Sequence, residues 1–140
     1  MANISQKIRE EVRRRARACC EYCLSQERYS SASFSIEHIY PLSRGGQNDL
    51  DNLAYACLGC NGFKYNKLKC FDPVSNKEVR LYNPRIDAWG EHFVWSHDKI
   101  EIHGITAPGR ATIACLQLNR PHVVNLRRLL ATAGEHPPTA

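Results

Sequence analysis

Two cysteine pairs limit what this chain can fold into more than any other feature. Cys20-Glu21-Tyr22-Cys23 and Cys57-Leu58-Gly59-Cys60 each set two residues between their thiols. At that spacing both sulfurs of a knuckle face one ion while the amides between them turn toward the thiolates, and two knuckles close a tetrahedral site of the kind structural zinc takes. Cys19 offers an alternative first ligand, three residues before Cys23, but the Cys20 spacing matches the second knuckle and is preferred. The segment between the knuckles is longer than a zinc ribbon needs. Closing the site therefore also folds a loop with contents of its own, centred on Ile36-Glu37-His38-Ile39-Tyr40-Pro41.

The remaining sequence reads as an α+β domain. Ile4, Ile8, Val12 and Ala16 draw one apolar stripe down a helix expected over 4–18, with Asn3 or Ser5 as its cap. Arg9, Arg13, Arg14, Arg15 and Arg17 fall on its other faces, a density that suits a phosphate backbone and equally a solvated face. A polar loop over 25–33 leads into a strand through Phe34, Ile36 and Tyr40, which Pro41 ends, and Gly45-Gly46 lets the chain reverse in an Ω-shaped loop after His38. Residues 50–56 are expected to form a short helical turn. A helix over Asn61 to Lys69 follows, with Phe63, Tyr65 and Leu68 facing inward and Asp72-Pro73 stopping it.

Farther along, residues 79–82, 93–95 and 100–103 read as a small antiparallel sheet. Thr106 is expected to cap a helix over 107–118 with Pro108 in its first turn, and Pro121 to open another through Leu130. The tail after Gly134 is expected to fray. Cys70 and Cys115 stand outside both knuckles and are assigned to packing as free thiols. The whole, 1–140, is expected to be one domain: a basic N-terminal helix (1–18), a zinc-bound core (19–69), accessory strands and helices (70–134) and a tail (135–140).

With 140 residues there is room for a modest core, and a net charge of +5, from 19 basic against 14 acidic side chains, favours a polyanionic partner. No apolar run approaches the roughly 20 residues of a membrane-spanning helix, so no membrane partner is expected. Four of the seven cysteines lie in the knuckles, which suits a cytoplasmic metalloprotein better than a disulfide framework.

Taken together, Cys20-x-x-Cys23, Glu37-His38-Ile39-x-Pro41-Leu42-Ser43-x-Gly45-Gly46-x-Asn48, Asn52-Leu53 and Cys57-x-x-Cys60-Asn61-x-x-Lys64 resemble the HNH nuclease family, in its zinc-bound form. The resemblance implies a ββα-metal core, treble-clef-like and of the His-Me finger type. It also implies a reaction: metal-dependent hydrolysis of DNA phosphodiester bonds, in which water must be activated and charge on the phosphoryl and leaving oxygens relieved.

By the same resemblance His38 is the general base, a role that suits an imidazole at neutral pH. Glu37 and Asn61 hold a catalytic Mg²⁺ or Mn²⁺, and Asn52 ties the loop and orients His38. Lys64 and Arg44 are phosphate-contact candidates, joined by Lys67, Arg13 and Arg17. Two departures from the common pattern stand out. Asn61 occupies the place of a final histidine, which favours a hard oxygen-preferring ion, and Glu37 replaces a frequent aspartate.

DNA contacts are expected mostly at phosphates, with weak sequence preference and strong salt dependence. Two other readings use the same residues: a non-catalytic zinc module that clamps nucleic acid, and a ribonuclease. Monomer and homodimer both remain open. His92, His97, His103, His122 and His136 have no comparable partner pattern, and Tyr82, Trp89 and Trp95 are read as core rather than base-stacking residues.

Overall fold

The computed structural model describes residues 4–138, so Asn3 lies outside the described residues, and Ser5 is the cap of the first helix, its hydroxyl accepting from Ile8 N–H at 3.2 Å. Helix α1 (Gln6–Arg15) buries Val12 and lies against strand β2 (Leu53–Ala56). It stops short of residue 18 because the first knuckle needs a turn. Arg17 and Ala18 take φ of 56° and 53°, and Cys20 N–H donates back to Ser25 O at 2.8 Å.

The chain divides into two compact units: one runs to Leu68 and takes in Asn83–Ile86, the other comprises Lys69–Tyr82 and the chain from Asp87 onward. In the first unit, strand β1 (Ser35–His38) pairs antiparallel with β2, in the register Ser35 with Ala56 through His38 with Leu53. The expected helical turn at 50–56 is thereby corrected. A 3-10 turn spans only Leu50–Asn52, and the four residues after it, all buried, are strand. Pairing with β1 and burial of the whole run outweigh the helical preference of Leu and Ala.

Among the described residues strand β2 pairs with no strand but β1, and its outer edge is satisfied by side chains and by one loop amide. The Leu53 carbonyl accepts from Arg15 Nη2 and, at 3.2 Å, from Arg85 Nη1. Tyr55 N–H donates to Glu21 Oε2 at 2.8 Å while Glu21 N–H donates to Tyr55 O at 2.9 Å, and Arg85 pairs with the same Glu21 carboxylate.

Helix α2 (Leu58–Lys64) starts inside the second knuckle, earlier than the expected Asn61, and ends at Tyr65, whose φ is 50°, rather than reaching Lys69. Its buried residues are Cys60 and Lys64, whereas Phe63 and Tyr65 are exposed. The register follows from Cys57, which caps the helix through its thiol and so fixes which face turns in.

In the second unit the expected single sheet is two separate hairpins: β3 (Lys69–Phe71) with β4 (Glu78–Arg80), and β5 (Phe93–Trp95) with β6 (Ile102–Gly104). Asp72, expected to stop a helix, turns the first hairpin instead. Its carboxylate accepts from Val74 and Ser75 N–H at 3.1 Å each and from Arg110 Nε and Nη2 at 2.9 Å each.

A short helix α3 (Trp89–His92) precedes β5. Helix α4 (Ala107–Leu116) begins at Thr106, whose hydroxyl accepts from Gly109 N–H at 3.1 Å, carries Pro108 in its first turn and ends at Gln117 in the left-handed region. Helix α5 spans Pro121–Thr132. Arg127 is buried, bonded to Ile100 O at 3.0 Å and Leu118 O at 2.7 Å, with its guanidinium over the Trp95 ring. The expected fraying is also corrected up to residue 138: His136 lies 2.7 Å from Lys99 O and packs edge-on to Trp95, while residues 139–140 lie outside the described residues.

Cys70 and Cys115 form a disulfide, which overturns their assignment as free packing thiols. Strand β3 and helix α4 lie together and bring the two Cα atoms to 6.2 Å, within bridging reach. No helix among the described residues is long and apolar enough to cross a membrane.

The Arg110 guanidinium, with the turn amides, holds the Asp72 carboxyl well below the usual carboxylate range. A carboxyl depressed by folding adds stability above the unfolded value of about 3.9, and that stability is lost as pH falls through the lower folded value. Asp72→Asn is therefore expected to melt several degrees below the parent at neutral pH. The difference narrows below pH of about 3.9, as followed by circular dichroism melts across a pH series.

Candidate functional site

The knuckles converge. Cys20, Cys23, Cys57 and Cys60 are all buried, and their sulfurs lie within 4.8 Å of one another. Cys23 Sγ and Cys57 Sγ are 3.7 Å apart; zinc bound at about 2.3 Å in a tetrahedron sets sulfurs about 3.8 Å apart, so the donor set fits zinc. In each knuckle the amide of the second cysteine points at the sulfur of the first, Cys23 N–H to Cys20 Sγ and Cys60 N–H to Cys57 Sγ, both at 3.5 Å. Burial pushes the Cys20 thiol up, whereas hydrogen bonds from the Cys20, Cys23 and Cys60 thiols hold that of Cys57 far below the ordinary cysteine range. Cys19 lies outside the cluster, 3.5 Å from Arg17 O.

The same two segments frame a loop that fixes His38. Asn52, the last residue of the 3-10 turn before β2, uses its whole side-chain amide on loop backbone: Oδ1 accepts from Tyr40 N–H at 2.8 Å, and Nδ2 donates to Tyr40 O at 3.0 Å and Gln47 O at 2.9 Å. A 3-10 turn over Leu42–Arg44 ends at Gly45 with φ 89°, and Gly46 N–H donates to Pro41 O at 2.9 Å. A Cβ on Gly46 would sit 1.8 Å from Tyr40 O, so only glycine fits there. His38, at the end of β1, has Nε2 at 2.6 Å from Asn48 Oδ1. Asn52 therefore shapes the loop, while Asn48 touches the imidazole.

His38, Glu37 and Asn61 line one cavity of about 310 Å³ with Ile36, Pro41, Leu42, Ser43, Tyr65 and Asn66. Glu37 and Lys64 form an ion pair at 2.9 Å with only 2% of either side chain exposed. The other oxygen of Glu37 accepts from Tyr22 O–H, and Lys64 Nζ also donates to Ile39 O at 3.0 Å. Burial, and then the neighbouring Glu37 carboxylate, pushes the Tyr22 phenol well above its ordinary range.

The expectation that Lys64 meets a phosphate does not survive this geometry, because its ammonium is enclosed by protein oxygens. Arg44, Lys67 and Arg17 are exposed, and Lys67 Nζ donates to Phe63 O at 3.1 Å. Arg13 Nε pairs with Glu27 Oε1 at 2.8 Å while its side chain stays 58% exposed. Glu27 gathers three elements, accepting also from Phe34 N–H at 2.8 Å and Tyr55 O–H at 2.6 Å. Against the upward push of burial, these bonds hold its carboxyl below the usual value.

Two residues of this site had no role from sequence: Asn48 and Tyr22. Asn48 stood inside the Gly45-Gly46-x-Asn48 stretch, and a polar amide two residues after a glycine reversal is a signal that could have found it. Nothing around Tyr22 marked its reach to Glu37.

Cys57→Ser is expected to lower bound zinc well below one ion per chain, read by atomic absorption, and to unfold the first unit, read by circular dichroism. Gly46→Ala is expected to keep zinc but lower the melting temperature, since the loop backbone must open to admit the methyl group.

No curated protein and no solved structure matches the chain. A protein-family model described as HNH endonuclease matches residues 20–67, a span that opens at the first paired cysteine and contains His38, Asn48, Asn52, Asn61 and Lys64. The segment from Cys20 to Lys67 thus matches the HNH endonuclease family, the one its motifs resemble.

Proposed function

We propose that the chain is a metal-dependent DNA endonuclease that cuts or nicks phosphodiester bonds at the His38 cavity. One observation carries this reading: His38, Glu37 and Asn61 line a single cavity within the segment that matches the HNH family. The order β1, β2, α2, with α2 lying against both strands, supports a ββα-metal, treble-clef-like core.

His38 is the general base. With the Asn48 carbonyl toward the ring, Nε2–H donates to Asn48 Oδ1, which leaves Nδ1 as the basic nitrogen. Nδ1 takes a proton from the attacking water as the new O–P bond forms and the P–O bond to the departing sugar oxygen breaks; that oxygen is then protonated from solvent. Asn52 acts on neither water nor phosphate. It holds the loop that carries Asn48, and so the angle of the ring.

Glu37 and Asn61 offer hard oxygen donors to the cavity, a set suited to Mg²⁺ or Mn²⁺, and each Glu37 oxygen keeps lone-pair capacity beyond the one hydrogen bond described for it. Such an ion, when bound, relieves charge on the phosphoryl and leaving oxygens. Exposed Arg44 and Lys67, each next in sequence to a residue of the cavity lining, together with exposed Arg17 and a net charge of +5, support phosphate contact by the chain. The four-cysteine site carries structural zinc, and the chain acts as an HNH nuclease.

Purified protein with Mg²⁺ or Mn²⁺ is expected to nick supercoiled plasmid, more slowly as salt rises. His38→Ala is expected to lose about 10²- to 10⁴-fold in rate with zinc content unchanged. Asn48→Ala, which frees the ring without removing the base, should cost less. Cleavage of RNA but not DNA would favour the ribonuclease reading. Binding of DNA with no cleavage of either polymer by the zinc-replete wild type would favour the clamp.

A further inference from the structure

We infer that Lys64 is an internal counter-cation, holding the Glu37 carboxylate in place for a divalent ion and competing with that ion for its charge. This rests on the reading of Glu37 as a metal ligand. A carboxylate and an ammonium, each 2% exposed and 2.9 Å apart, are a buried ion pair, and the pair is built rather than incidental. Lys64 Nζ is also bonded to Ile39 O, the residue after His38, at 3.0 Å, and the other Glu37 oxygen is bonded to Tyr22 of the first knuckle. Removing a solvated charge into such a site is costly unless its partner stays with it.

The position of Lys64 gives the pair its meaning. Asn61 and Lys64 stand three residues apart on α2, so they project from neighbouring positions of one helical face. Asn61 and Glu37 line the same cavity. A cation held by Glu37 and Asn61 is therefore a near neighbour of the Lys64 ammonium. Two cations that share one carboxylate repel each other, and more strongly away from bulk water than in it. Lys64 thus neutralises Glu37 in the metal-free protein and sets a ceiling on how tightly the ion binds.

The test measures Mn²⁺ affinity on zinc-replete protein, from the electron paramagnetic resonance signal of the free ion, together with melting temperature with and without Mn²⁺. Wild type, Lys64→Met, Lys64→Gln and Glu37→Gln are compared. The glutamine variant at 64 keeps a hydrogen-bond donor while removing the charge, and carries the test where Lys64→Met does not fold.

Removal of the ammonium is expected to tighten Mn²⁺ binding at least about tenfold. It should also lower the melting temperature without Mn²⁺ and restore most of the loss when Mn²⁺ is added. Unchanged or weaker affinity in the lysine variants, with binding lost in Glu37→Gln, overturns the inference and leaves Glu37 as a ligand. Wild-type affinity in Glu37→Gln overturns the ligand reading and the inference with it. Failure of both lysine variants to fold even at saturating Mn²⁺ also overturns it, since a metal ion then cannot take the place of the ammonium.

Discussion

Convergence of four thiols on one point is the constraint from which the first unit follows. Each knuckle ends one segment and starts another: α1 gives way to the turn holding Cys20 and Cys23, and β2 runs directly into Cys57, which caps α2 through its own sulfur. A helix capped by a thiol that is itself held in a four-sulfur cluster has its rotation set by that thiol. This is why Asn61 reaches the cavity wall and Lys64 turns inward beneath it. An ion taken up by these four thiols would make metal binding and folding of so small a unit one equilibrium.

Within that frame the polar groups divide their work by reach. Asn52 bonds only to backbone and decides the path of the loop, Asn48 bonds to the imidazole, and Tyr22 and Lys64 bond to the Glu37 carboxylate. His38 and Glu37, which line the cavity, are each held by neighbours that do not line it. Such support lets a side chain keep one orientation without a large hydrophobic core around it.

What could be read from sequence was local. Equal cysteine spacings, the cap at Ser5, the Thr106 start of α4 and the glycine reversal after Pro41 are all set within a few residues, and the structure carries each of them. The candidate site was legible as a set of residues but not as a set of contacts. Leu53-Ala54-Tyr55-Ala56 lacks the alternation that marks a half-buried strand, because all four residues are buried. Lysine composition argues for exposure, and only a partner 27 positions away, Glu37, makes burial of Lys64 tolerable. The Cys70–Cys115 bridge, spanning 45 positions, has no spacing rule that could announce it, and neither has the bond between Asp72, which turns the first hairpin, and Arg110, 38 positions later on α4.

The outer edge of β2 has a consequence beyond the single chain. A two-stranded sheet leaves rows of amides and carbonyls on which a strand from another molecule can add itself. Here the Leu53 carbonyl is held by two guanidinium groups, and both backbone groups of Tyr55 are taken by Glu21. A second copy cannot template on that edge without first breaking charged contacts, so fibre-like or strand-exchanged association has no foothold there.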